Sequence, residues 1–209
     1  RLVCTQLGDC HFGFRPRQRL AAQVGADRAG CPAPSRDGIH HEGRARDGVA
    51  TRVDDANGVR VIVHERADRR RPSGALVWFH GGGLIMGAAE GANDLCSHVA
   101  FDLGVAVISV DYRLAPEHPF PAALGDGYAA LIGLTAQAGL LGIDPMRIAI
   151  GGASAGGGLA AALCQLAHDR QAARLAFQLL IYPMLDDRNG VAADPDEERR
   201  RVWGASDNR

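Results

Sequence analysis

At 209 residues, 46% of them hydrophobic, the chain suits one domain with a buried core. A formal net charge of −1 gives no general pull toward nucleic acid or an anionic membrane surface. The five cysteines (Cys4, Cys10, Cys31, Cys96, Cys164) show no metal-ligand spacing, and no apolar run approaches the ~18 residues of a membrane span. No basic start followed by an apolar run marks a secretory leader, so a soluble cytoplasmic protein is the expectation.

Residues 1–48 are rich in Arg, Gly, Cys and His and hold no helical or strand period. They read as a poorly ordered arm without assigned function, and the domain proper is expected over 49–209. The charge is unevenly spread: residues 1–71 sum to +5 and residues 72–209 to −6, which fits a solvated basic arm. All 23 basic residues are Arg, a bias of coding composition.

Order is expected from Ala50. Val59, Val61 and Val63 alternate with Arg60, Ile62 and His64, and Asn57-Gly58 is a strong tight-turn signal. An N-terminal hairpin pairing residues 50–54 with 59–65 follows. Residues 69–72, three arginines and a proline, read as a surface connection. Residues 75–79 form a short apolar run, hence a buried strand. Leu95, Val99 and Leu103 recur at helical spacing, and residues 105–110 are a second buried strand. Tyr128, Leu131, Ile132 and Thr135 mark a helix. Residues 147–150 read as a strand, and Leu159, Leu163 and Leu166 share one face of the helix after it. Residues 177–181 are the last clear strand. Cys96 and Cys164 fall in apolar helical patterns and should be buried thiols. Strands alternate with helices from Ala75 onward, which predicts an α/β fold: a mostly parallel sheet with helices on both faces.

Three motifs carry chemistry. His80-Gly81-Gly82-Gly83 directly follows a buried strand, and consecutive glycines leave backbone N–H groups unobstructed for a developing oxyanion. A phosphate cradle is the competing use of such a loop. Gly152-Ala153-Ser154-Ala155-Gly156 lies 74 residues on, between a predicted strand and a predicted helix. A serine hydroxyl becomes a useful nucleophile only when exposed, next to a base and near oxyanion donors. A sharp strand-to-helix turn flanked by glycines supplies the exposure, and the helix N-terminus supplies positive potential. Alone, that pentapeptide also fits a plain tight turn. The same glycines could hint at a dinucleotide fingerprint, but Asp169 precedes the next strand and Asp186 is too far along for the acid it requires.

The third motif is the segment 111–124, Asp-Tyr-Arg-Leu-Ala-Pro-Glu-His-Pro-Phe-Pro-Ala-Ala-Leu. With the glycine loop, the serine elbow and the run Tyr182-Pro183-Met184-Leu185-Asp186-Asp187-Arg188, it resembles the hormone-sensitive-lipase-like family of α/β-hydrolases. The motifs stand in the family's order and the likeness covers roughly residues 50–209. The resemblance implies an α/β-hydrolase fold with Ser154 as nucleophile. It implies an oxyanion hole from the N–H groups of Gly82, Gly83 and Ala155, with His80, Gly81, Gly152 and Gly156 supporting the loop and the elbow. It implies a small-molecule carboxylic ester of short to medium acyl chain as substrate, with no metal and no cofactor. Many members have Asp where this chain has Ala153.

In that fold the triad runs Ser, then Asp or Glu, then His. The histidine after Ser154 is His168, roughly 21 Å along the same helix at 1.5 Å per residue. The family's acid and base would therefore lie past Arg209, the domain would lack its C-terminal strands, and turnover by these 209 residues is expected to be slight. The strand 177–181 would then have an open outer edge, available for pairing with another chain. The alternative function is a non-catalytic small-molecule-binding protein on the same scaffold.

Overall fold

The computed structural model describes residues 2–5 and 44–186. Its strands are β1 (Leu2–Thr5), β2 (Val49–Asp55), β3 (Arg60–Arg66), β4 (Ser73–Phe79), β5 (Ala106–Val110), β6 (Ile143–Ala153) and β7 (Phe177–Ile181). Its α-helices are α1 (Asn93–Leu103), α2 (Ala122–Gln137) and α3 (Ala155–Asp169). The seven strands form one sheet in the order β1-β7-β6-β4-β5-β3-β2. The four central strands run parallel, and β1, β3 and β2 join antiparallel at the two sides. The α/β fold and the hairpin expected from the sequence are both present.

The hairpin turns where Asn57 and Gly58 take positive φ of 59° and 83°. Ala56 and Val59 exchange backbone hydrogen bonds across them, the arrangement that matches strand twist in a two-residue turn. From β4 to β7 successive strands are joined through helices that cover both faces. Helices α2 and α3 pack over one face, Leu131 and Leu163 lying in one cluster with Val77, Phe79, Ile108 and Ile150 of the sheet. Helix α1 covers the other, on Leu76, Trp78 and Val107.

Helix α1 forms as predicted and buries Cys96, Ser97 and Ala100, while Leu95 and Leu103 face solvent. Small side chains let this helix lie close to the sheet, a use of burial that a search for leucines misses. Arg69, read as part of a surface connection, is 7% exposed. Its guanidinium donates to Glu65, Ser73 Oγ, Gly142 O and Leu141 O, so every part of its charge is matched. The open outer edge expected at β7 is occupied by β1, paired antiparallel from Leu2↔Ile181 to Thr5↔Gln178. That strand falls inside the span 1–48 read as an arm; residues 6–43, Asp187 and Arg188 lie outside the described residues.

Strand order positions the site. From β4 the chain leaves through α1 toward β5 on one side, and from β6 it leaves through α3 toward β7 on the other. The carboxyl ends of the adjacent strands β4 and β6 thus flank a crevice at the switch of direction, where open α/β sheets bind ligands. Phe79 pairs with Gly152 at that end. The loop after Phe79 starts at His80, and the turn after Ala153 is Ser154.

Candidate active site

Ser154 occupies the single residue between β6 and α3, with φ 54° and ψ −118°. Non-glycine residues avoid this conformation, which costs about 1–3 kcal/mol. The surroundings impose it. The Ser154 N–H donates to Ile181 O at 2.9 Å, and its carbonyl accepts from Gly158 N at 3.1 Å and Met184 N at 3.0 Å. The end of β7 and the segment after it therefore clamp the turn. The glycines expected to support the elbow sit where no side chain fits: a Cβ on Gly152 would lie 2.3 Å from Gly156 O, and one on Gly156 would lie 2.2 Å from both Phe79 O and His80 O. Ser154 is half-buried, and Ala155, first residue of α3, is buried. The Ala155 N–H belongs to the first helical turn, whose donors have no acceptor within the helix.

The loop after β4 is a compact turn. Gly82 O accepts from Ile85 N at 3.1 Å and Met86 N at 3.0 Å, and Gly82 and Gly83 have φ of 119° and 63°. Leu84 O accepts from Ala115 N at 2.9 Å, which ties this turn to the segment 111–124. Gly81 faces the elbow: a Cβ built on it would stand 3.2 Å from Ala153 O and 3.5 Å from Ser154 Cβ. The structure thus brings the glycine turn and the serine turn together across 74 residues of sequence.

His80 is buried, and its Nδ1 lies 2.7 Å from Gly81 O. A carbonyl only accepts, so Nδ1 carries the proton. The ring stacks on Tyr112, with centroids 4.3 Å apart and planes at 11°. The Tyr112 hydroxyl donates to His80 O at 2.7 Å. Sequence reasoning missed Tyr112; nothing in its local pattern separates it from any buried aromatic residue after a strand. It also missed Asp126, a buried carboxylate on α2 that accepts from Arg113 N at 2.9 Å and from Arg113 Nη2 at 2.7 Å, fastening the segment after β5 to the helix.

Three further histidines among the described residues are placed away from this chemistry or engaged elsewhere. His168 is exposed on α3 beside Asp169, and His98 is exposed beside Asp94. His64 is fully buried on β3, three strands from β6, with Nδ1 3.2 Å from Thr51 Oγ1. Burial pushes its pKa down to about 4, so it is neutral at ordinary pH. Cys96 and Cys164 are buried free thiols as expected, pushed up to about 12 by burial and inert as nucleophiles. Among the described residues no three His, Cys, Asp or Glu side chains cluster to hold a metal ion, and no helix is long and apolar enough to cross a membrane.

Comparison with known proteins agrees with this fold. A family model described as alpha/beta hydrolase fold matches residues 76–207. Over 108 residues the chain is 46% identical to the carboxylesterase NlhH of Mycobacterium tuberculosis, an overlap of 52% of this chain and 34% of that protein. The structure of a bacterial heroin esterase superposes with a TM-score of 0.72 at 42% identity, covering 78% of this chain and 53% of the esterase. An esterase of the bacterial hormone-sensitive lipase family superposes with a TM-score of 0.63 at 34% identity, covering 69% of this chain and 47% of its own. The chain spans about a third of the length of the curated relatives it matches.

Proposed function

The chain belongs to the α/β-hydrolase family, and on that premise we propose that it carries the nucleophile and oxyanion hole of a serine carboxylester hydrolase. One observation carries the reading: Gly81 lies so near the elbow that a Cβ on it would stand 3.5 Å from Ser154 Cβ. Two turns that close need a shared purpose, because each is strained or glycine-dependent on its own.

In this reading Ser154 Oγ attacks the ester carbonyl and its proton passes to a base. The carbonyl oxygen becomes an oxyanion held by the N–H groups of Gly82, Gly83 and Ala155. Preorganised backbone donors of this kind act without reorganising during the reaction, and loss of one typically costs ~100-fold or more in rate. The start of α3 adds its positive end to the same point. The oxyanion then collapses: the ester C–O bond breaks and the alcohol leaves with the proton the base took up. Water next attacks the acyl-enzyme, giving a proton to the base, and the carboxylic acid leaves as Ser154 Oγ regains that proton. His80 supports the turn, through the Nδ1–H it donates to Gly81 O and the ring it stacks on Tyr112. The substrate is a small carboxylic ester; its acyl and alcohol parts lie over the carboxyl ends of β4 and β6.

A fluorophosphonate tests the nucleophile directly. The Ser154 Oγ–P bond forms, fluoride leaves, and the hydroxyl proton goes to buffer. Mass mapping should find the adduct on Ser154 in the native chain and nowhere in Ser154→Ala. A short-chain nitrophenyl ester reports turnover in parallel. Labelling spread over other serines, with Ser154 untouched at saturating probe, would remove the proposal. Saturable binding of such esters with no adduct at all would instead favour the non-catalytic binding role.

A further inference from the structure

We propose that Tyr112 is a positioning residue for the oxyanion turn, its hydroxyl and ring together fixing the direction of the Gly82 amide. This deepens the reading of Ser154 as a nucleophile and rests on it. The argument starts from the peptide plane. C=O and the next N–H share one rigid plane, so whatever holds the Gly81 carbonyl also aims the Gly82 N–H. His80 Nδ1 holds that carbonyl at 2.7 Å. The imidazole can do so only while its own plane is fixed, and Tyr112 fixes it by stacking at 4.3 Å and 11°.

The same tyrosine secures the preceding peptide. Its hydroxyl donates to His80 O at 2.7 Å, which by the same planarity sets the Gly81 N–H. On the other side of that carbonyl stands Gly156, whose built Cβ would lie 2.2 Å from it. His80 O is therefore held between the phenol from the end of β5 and the start of α3. Tyr112 is 1% exposed. Burial, with Asp111 adding to it, holds its phenol well above the usual value, so it remains a donor throughout the pH range of ester hydrolysis. A buried phenylalanine would fill the same space against Phe79, whose ring centroid is 6.3 Å away. The hydroxyl is the part that packing does not require.

Tyr112→Phe removes that one atom. Amide exchange read residue by residue should rise about 10-fold or more at residues 81–83, with β4 and α3 unchanged. Phosphonylation of Ser154 should slow about 10-fold, with the probe concentration at half-saturation unchanged. Ser109→Ala is the control for general loosening, since it deletes another buried hydroxyl bond on β5, to Ala89 O at 3.1 Å. It should leave both readouts at native values. Native exchange at 81–83 and native labelling in Tyr112→Phe would overturn the proposal, as would an equal rise in the Ser109→Ala chain. If Ser154 of the native chain takes no label, the nucleophile reading fails, and the exchange measurement alone still decides for or against Tyr112.

Discussion

Gly156→Ala adds one methyl group at the tightest point of the molecule. The new Cβ would lie 2.2 Å from Phe79 O, 2.2 Å from His80 O and 2.6 Å from Phe79 C. All three are backbone atoms. Phe79 ends a strand with neighbours on both sides, and His80 O is held by Tyr112, so neither can turn aside. Relief requires α3 or the glycine turn to move by about 1 Å. Overpacking a close-packed interior costs about 1–3 kcal/mol, and two rigid carbonyls put this case at the upper end or beyond it. Alanine in place of glycine returns up to about 1 kcal/mol through helix propensity. The expected net loss is about 2 kcal/mol, or roughly 4–8 °C in melting temperature for a chain of this size.

Gly125→Ala is the matched comparison. Gly125 also lies within a helix, is exposed, and has no atom within 4 Å of a built Cβ. The same chemical change there should stabilise by about 0.5–1 kcal/mol. Thermal unfolding followed by circular dichroism reads both. Opposite signs support the close approach of α3 to the oxyanion turn. A Gly156→Ala chain that melts with or above the native protein would refute it, and with it the convergence on which the proposed chemistry depends.

Other consequences can be measured in the same way. His64 has a folded pKa of about 4 against an ordinary value of 6.5. The unfolded chain therefore takes up a proton between these values while the folded chain does not, and stability should be full above pH 6.5 and fall by roughly 2–3 kcal/mol by pH 4.5; melts of His64→Gln over that window should be flatter. Arg69→Met leaves Glu65 with much of its compensation gone and takes a donor from Leu141 O and from Gly142 O, which keeps its bond from Ser73 N, so a loss of roughly 3–5 kcal/mol is expected in denaturant titration. Burial opposes ionisation of Glu65, but hydrogen bonds from Arg69 and Arg52 outweigh it and hold its carboxyl below the usual range. Asp126→Ala should cost roughly 2–3 kcal/mol by stranding the Arg113 N–H, and limited proteolysis should then cut first within residues 111–121.

Elements whose cause is local were legible in the sequence. Asn57-Gly58 announces its hairpin because the turn needs positive φ at both positions. The strands at Phe79, Val110 and Ile150 announce themselves because both faces are covered. Ser154 and the glycine turn were legible as motifs, since glycine is forced by backbone contact and contact of that kind leaves a spelling. What escaped was set by partners distant in sequence. Tyr112 matters through His80, 32 residues away, and Arg69 is buried because residues 141 and 142 supply carbonyls to it. Helix α1 and its buried Cys96 were legible, but which way Leu95 and Leu103 face was not, because that belongs to the sheet beneath the helix.

The distribution of stability follows from the same contacts. Three successive glycines, Gly156 to Gly158, open α3 at about 1 kcal/mol each relative to alanine. Ser154 adds about 1–3 kcal/mol of backbone strain. A helix with such a start cannot hold itself; it is held from its middle, where Leu159 and Leu163 are buried on the sheet at roughly 1.5–3 kcal/mol each, with Ala160 and Ala167 packed between. The two totals are of similar size. The elbow is thus a poor structure fixed to a good one, and each of its unfavourable features has a contact that requires it: Gly156 beneath His80 O, Gly157 against Pro183, Gly158 against Met184 O. Substitutions that improve the helix start in isolation should therefore lower stability in the protein, because each new Cβ meets the contact that requires the glycine.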